Sequence, residues 1–189
     1  TFRSATCGQT SGIQTLTINR PAGAVADDVL VATVGFTKGG TTTAPAGWTQ
    51  VPGLRGTVGG EQELVQWYRV VAASGEPTSY TFSASSGTTD TIAGGIAAYA
   101  GVDTDAPISG TPAQSIVALS TSDTLPNSSG AAVGSMRISG IVSDDMTTTT
   151  YGSPMVKYCD ENNESGVDIA TSMAYESTGI GTTATRTVT

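Results

Sequence analysis

Nucleophilic catalysis by Ser, Thr or Cys needs a base beside the nucleophile. The 189-residue chain contains no His, which removes every Ser-His and Cys-His arrangement. A Ser-Lys pair would have to draw on Lys38 or Lys157, and no local motif surrounds either one. Paired carboxylates would serve a glycosidase, and Asp103, Asp105, Asp144, Asp145, Asp160, Glu161 and Glu164 are the candidates. All are expected in turns, where acidic side chains are solvated or cap the backbone. The expectation is therefore a protein that is not an enzyme and has no catalytic residues.

Hard oxygen ligands for calcium occur at Asp103-Thr104-Asp105 and at Asp160-Glu161-Asn162-Asn163-Glu164. Neither has the spacing of an EF-hand loop, so solvated loops are the expectation and a structural calcium ion the lesser alternative. Two Cys without His cannot build an ordinary zinc site unless carboxylates or a second chain contribute. Cys7 and Cys159 are either a disulfide between terminal strands or two buried thiols, and thiols are the expectation for a protein made in the cytoplasm. Trp48, Trp67, Tyr68, Tyr151 and Tyr158 could form a sugar-stacking platform, although aromatics on alternating strands usually enter the core. Tyr151 lies beside a run of Thr at 147–150 and Gly152. It is the aromatic expected at the surface and so the surface-binding candidate.

The elements that must carry these residues are strands. Leu16 and Ile18 alternate with Thr15 and Thr17, the period-2 pattern of a half-buried strand. Leu30, Ala32, Val34 and Phe36 alternate with Val29, Val31 and Thr33; this run is apolar on both faces, as in a central strand. Further strands are expected from Glu63 to Val71, at Tyr80 and Phe82, around Met136, Ile138 and Val142, and at Val167, Ile169, Met173 and Tyr175, with Asp168 and Ser172 pointing away. A last alternating segment runs from Ile180 to Val188. The one helical candidate, Ile92 to Ala100, contains Gly94-Gly95 and is read as a strand. Ser120 to Gly130 reads as a long polar loop or as a weak boundary between two halves of the chain. About ten strands with Gly, Pro, Asn and Asp turns predict a single all-β domain over residues 1–189, a β-sandwich of jelly-roll type. Leu30, Val34, Phe36, Phe82, Ile138 and Ile169 are its expected core.

Charged residues are 13% of the chain, against about 25% in an ordinary soluble domain, and hydroxyl side chains supply the missing polarity. A net charge of −8 argues against nucleic-acid binding, which draws on a basic face, and against an anionic membrane surface. No apolar run approaches the roughly 20 residues of a membrane span. A chain opening on Thr1 fits both removal of an initiator Met and cleavage of a signal peptide.

Three segments carry a family likeness: Arg20-Pro21-Ala22-Gly23-Ala24-Val25-Ala26-Asp27-Asp28-Val29-Leu30-Val31-Ala32, then Ala44-Pro45-Ala46-Gly47-Trp48-Thr49, then Ala97-Ala98-Tyr99-Ala100-Gly101-Val102-Asp103 followed by Pro107-Ile108. Between the last two come Trp67-Tyr68-Arg69-Val70-Val71-Ala72 and Glu76-Pro77-Thr78-Ser79-Tyr80-Thr81-Phe82. This order resembles a β-sandwich domain of phage minor tail and other virion proteins, also found in bacterial surface and secreted proteins. The resemblance runs from about Phe2 to Val142, and more weakly to the C-terminus, and carries over no catalytic residue, because the matching positions read as turns and core. It implies a structural virion protein that decorates the capsid or belongs to the tail, docking on phage capsid or tail proteins or on copies of itself. The alternative is a secreted or cell-surface adhesion module that binds host-surface glycan. The same residues have local roles: Pro21 and Gly23 shape a turn, Asp27-Asp28 leads into a buried strand, Pro45 and Gly47 aim Trp48, and Asp103 caps a bend at Gly101.

Overall fold

A computed structural model describes residues 1–37, 41–58, 62–85, 91–115, 123–126, 128–143, 148–163, 169–177 and 186–188. The described residues form strands and no helix: β1 (Phe2–Thr10), β2 (Thr15–Asn19), β3 (Val29–Thr37), β4 (Thr41–Thr43), β5 (Thr49–Val58), β6 (Gln62–Val70), β7 (Ser79–Ser85), β8 (Ile92–Tyr99), β9 (Asp123–Leu125), β10 (Arg137–Ser143), β11 (Val156–Asn163), β12 (Ile169–Glu176) and β13 (Arg186–Val188).

Every pairing is antiparallel. A central five-stranded sheet has the order β1-β8-β3-β6-β5, flanked by the three-stranded sheets β2-β7-β4 and β10-β12-β11, while β9 and β13 pair with each other. The two apolar faces of β3 explain this layering. Leu30, Ala32, Val34 and Phe36 point to one side and share a core with Leu16 and Ile18 of β2 and Tyr80 and Phe82 of β7. Val29 and Val31 point to the other side and share a core with Ala97 and Tyr99, against which Phe2, Ile138, Tyr158 and Tyr175 pack. All of β3 and β8 is buried. A strand apolar on both faces is stable only when both are covered.

The expected all-β sandwich is thus present, with a correction to its layering. A jelly roll stacks two sheets; here the central sheet is covered on both faces. Of the expected core residues, Leu30, Val34, Phe36, Phe82 and Ile169 are fully buried. Ile138 is only half-buried, because β10 is an edge strand. Ser172 is completely buried rather than solvent-facing, and its hydroxyl donates to the Cys159 carbonyl at 3.2 Å. The segment expected to be a loop at Ser120 to Gly130 contains β9, which pairs with β13. Asp168, Val167 and residues 178–185 of the expected last strand lie outside the described residues.

Close approach between layers requires small residues. A Cβ on Gly95 of β8 would come within 2.6 Å of the Cys159 sulfur, and one on Gly35 of β3 within 2.6 Å of the Thr171 hydroxyl. These glycines therefore let β11 and β12 settle onto the central sheet. Across the same gap Cys7 of β1 and Cys159 of β11 form a disulfide, their Cα atoms 6.0 Å apart, within the usual range. This corrects the expectation of two buried thiols. The fold brings an edge strand of the central sheet beside an edge strand of the outer sheet, a proximity that 152 residues of separation conceal.

The turns behave as their residues imply. Ala24 N–H donates to the Pro21 carbonyl at 3.3 Å. Asp27 takes the left-handed conformation at φ 67°, and Asp28 is buried, accepting from the Val25 N–H at 2.9 Å and pairing with Arg3 at 2.7 Å.

Candidate functional site

A groove of about 450 Å³ lies beside the β5 end of the central sheet. One wall is Pro52 of β5 and the Tyr68 ring of β6; the other is Asp105, Pro107, Ile108 and Thr111 from the segment after β8. The pairing of β5 with β6 is irregular between Gln50 and Arg55, so β5 bulges at Pro52. Tyr68 sits opposite Thr49 on β5 and Val31 on β3, with its side chain half-buried against the second core.

The opposite wall is built by side-chain capping. The Asp103 carboxylate accepts the Asp105 N–H at 3.0 Å and the Ala106 N–H at 3.3 Å, the capped bend expected after Gly101. Thr111 and Ser129 exchange backbone hydrogen bonds of 2.7 and 3.1 Å, which ties this wall to the chain before β10. The groove is lined mostly by apolar residues, with Asp105 and Thr111 among them, and its volume lies within the roughly 300–1,000 Å³ of small-ligand sites. Tyr68 was among the sugar-stacking candidates of the sequence. The groove itself was not foreseen, because its prolines come from two segments more than fifty residues apart in sequence.

The other aromatic candidates turn inward. Trp67 is buried, and Trp48 packs edge-on against Tyr80 and Phe82 at 5.1 and 5.5 Å. Tyr158 lies in a cluster with Phe2 and Tyr175. Tyr151, the expected surface-binding aromatic, is corrected: its ring packs with Ile141 against Leu125, Met155 and Ala174, and its hydroxyl is shielded from solvent. Burial pushes its phenol pKa well up. The polar run before it misleads because Thr149 folds back against β11. Lys157 donates to the Thr149 carbonyl at 2.7 Å there, and Thr149 N–H donates to Asp160 at 3.3 Å.

Asp160 and Glu161 lie within β11 and not in a turn, which corrects the expected loop. Asp160 pairs with Lys157 at 2.5 Å. Asp144, Asp145 and Glu164 lie outside the described residues. Among the described residues no three His, Cys, Asp or Glu side chains gather into a group that could hold a metal ion, and no helix is long and apolar enough to cross a membrane.

The densest ionic cluster is structural. Arg69 of β6 grips Glu76 through two hydrogen bonds of 2.7 and 3.1 Å, and the same carboxylate accepts from the Ala72 N–H at 2.8 Å and from the Tyr80 hydroxyl. Arg69 also donates to the Ala46 carbonyl at 2.8 Å and lies over the Tyr80 ring. The cluster pins residues 71–79 to the sheet. Burial alone would raise the Glu76 pKa, but the hydrogen bonds from Arg69, Tyr80 and Ala72 and the Arg69 charge outweigh it, and the pKa is lowered. A carboxylate with a lowered folded-state pKa contributes stability above its unfolded pKa, and that stability is lost as pH falls through the folded value. Glu63 has the opposite sign: burial raises its pKa despite its pairing with Arg55, so its ionisation works against folding as pH rises. Glu76→Gln is therefore expected to destabilise by roughly 2–3 kcal/mol near neutral pH and to flatten the loss of stability below about pH 4.5. Urea melts between pH 3 and 7 read both effects; an unchanged acid limb would show that Glu76 does not carry it.

Layering and groove together define an all-β sandwich protein with a preformed recess at one sheet edge. No protein-family model matches the chain, no curated protein matches it, and no solved structure matches its fold.

Proposed function

We propose that this chain is a non-enzymatic structural protein of a phage virion, decorating the capsid or belonging to the tail, and that it works by protein–protein docking. The observation that carries this reading is the outer face of the β2-β7-β4 sheet. Thr15, Thr17 and Asn19 of β2 and Ser79, Thr81, Ser83 and Ser85 of β7 alternate with the buried apolar residues of those strands, and Thr41 and Thr43 of β4 are exposed. They stand in register, with Thr17 opposite Thr81 and their hydroxyls 2.8 Å apart. These three strands contain no charged residue. Such a face can be covered by a partner without desolvating ions, and charged groups are the ones depleted from interface cores. The partner is a capsid or tail protein or a further copy of this chain.

Binding through hydroxyl and apolar groups is expected to change little between about 0.05 and 0.5 M salt, because screening weakens only contacts between charges. Co-sedimentation with assembled capsids and tails at both salt concentrations checks this. Loss of binding at high salt, or binding to neither particle, would remove the reading.

A second reading, a secreted or cell-surface adhesion module that binds carbohydrate, is favoured by the Cys7–Cys159 disulfide. Disulfides form and persist mainly in oxidising compartments. A glycan column that retains a chain unable to bind either particle would select it.

A further inference from the structure

We propose that the groove between Tyr68 and the 105–111 segment is a binding site for a neutral saccharide. This deepens the second, carbohydrate-binding reading given above and rests on it. Three features of the groove choose the ligand. Its one charged lining group is the Asp105 carboxylate, with no Lys or Arg in either wall, so anionic ligands such as sulfated or sialylated sugars are repelled. Its apolar lining includes the rings of Tyr68, Pro52, Pro107 and Pro112 beside Ala106 and Ile108, groups against which the C–H face of a sugar can pack. Its polar side chains are the Asp105 carboxylate, an acceptor, and the Thr111 hydroxyl, a donor and acceptor, the kinds of group that hydrogen-bond sugar hydroxyls. The Asp105 backbone N–H is already taken by Asp103, and that contact holds the residue in place without using its side chain.

The same geometry argues against an extended peptide. A peptide added to a sheet edge gains its affinity from main-chain hydrogen bonds to that edge. At this edge Pro52 has no N–H to give, and β5 departs from regular pairing between Gln50 and Arg55. Bulges and prolines are devices that block strand addition.

The test uses the full chain on an array of neutral, sialylated and sulfated oligosaccharides, followed by calorimetry with the best neutral sugar and with a Lys-rich peptide. Neutral glycans are expected to bind and anionic ones not. Asp105→Lys, on an exposed loop, is expected to weaken the neutral sugar at least tenfold without changing the melting temperature. Tyr68→Ala should weaken it at least as much; because Tyr68 also contacts the core, Asp105→Lys decides if that variant unfolds. Retention of no neutral glycan, equal binding by the Asp105→Lys chain, or binding of the Lys-rich peptide in place of sugar would overturn the assignment. Particle co-sedimentation of the Asp105→Lys chain is read in parallel. Loss of sugar binding with particle binding intact keeps the two roles separate, and failure of the sugar arm alone leaves the docking reading standing.

Discussion

Replacing Cys7 and Cys159 together by Ala is expected to lower the unfolding free energy by about 5 kcal/mol, a large share of the roughly 5–15 kcal/mol that holds a domain folded. The bridge closes a loop with a sequence separation of 152 residues, and a cross-link removes more entropy from the unfolded chain the longer the loop it closes. The folded state adds a local reason. The disulfide ties β1, the edge of the central sheet, to β11, the edge of the outer sheet. Without the bridge, β10, β11 and β12 are held to the central sheet by side-chain packing, with Ile138, Tyr158 and Tyr175 against Val29, Val31, Ala97 and Tyr99 and close approach at Gly35, Gly95 and Gly140. Urea melts of the wild type and the double variant give the loss, and amide hydrogen exchange should show β12 losing protection before β3. A loss below about 1 kcal/mol, or equal protection in both strands, would mean that the outer sheet is held by its packing alone.

Phe36→Ala is expected to cost about 3–5 kcal/mol. The ring is completely buried and stands edge-on to Trp67 at 6.2 Å, so truncation loses both transfer free energy and contacts that the surrounding strands cannot restore. Antiparallel strands locked into one register on both sides of β3 leave little freedom to collapse into the cavity. Phe36→Leu keeps most of the volume and should cost below about 1.5 kcal/mol. Denaturant melts of the two variants with unchanged slope read the difference; a loss under 1 kcal/mol for Phe36→Ala would place the ring outside the packed core.

How far the sequence can be read depends on which residues register the environment by themselves. The alternation of Leu16 and Ile18 with Thr15 and Thr17 places β2 with one face in and one out, and the unbroken apolar run of β3 predicts a strand covered twice. Both are visible because a strand's side-chain period is set by its own backbone. β1 and β11 are not visible in this way. Their residues are mixed, Phe2-Arg3-Ser4-Ala5-Thr6-Cys7 in one and Val156 through Asn163 in the other, because each pairs at an edge. Asp160 and Glu161 looked like loop residues on composition, and only pairing with β12 holds them in a strand.

The sites divide along the same line. Absence of His excludes imidazole chemistry from composition alone, and the Asp103 cap follows from the reach of a short carboxylate to a backbone N–H two residues on. The burial of Tyr151, the joining of Cys7 to Cys159 and the groove that faces Tyr68 toward Pro107 all depend on segments far apart in the chain. The sequence by itself determined the regularly alternating and doubly apolar strands such as β2 and β3, the charge-poor hydroxyl surface and the local turns, since these follow from side-chain period, side-chain type and short-range hydrogen bonding. The tertiary structure decided the third layer, the disulfide and the groove, since each exists only where strands distant in sequence are packed side by side.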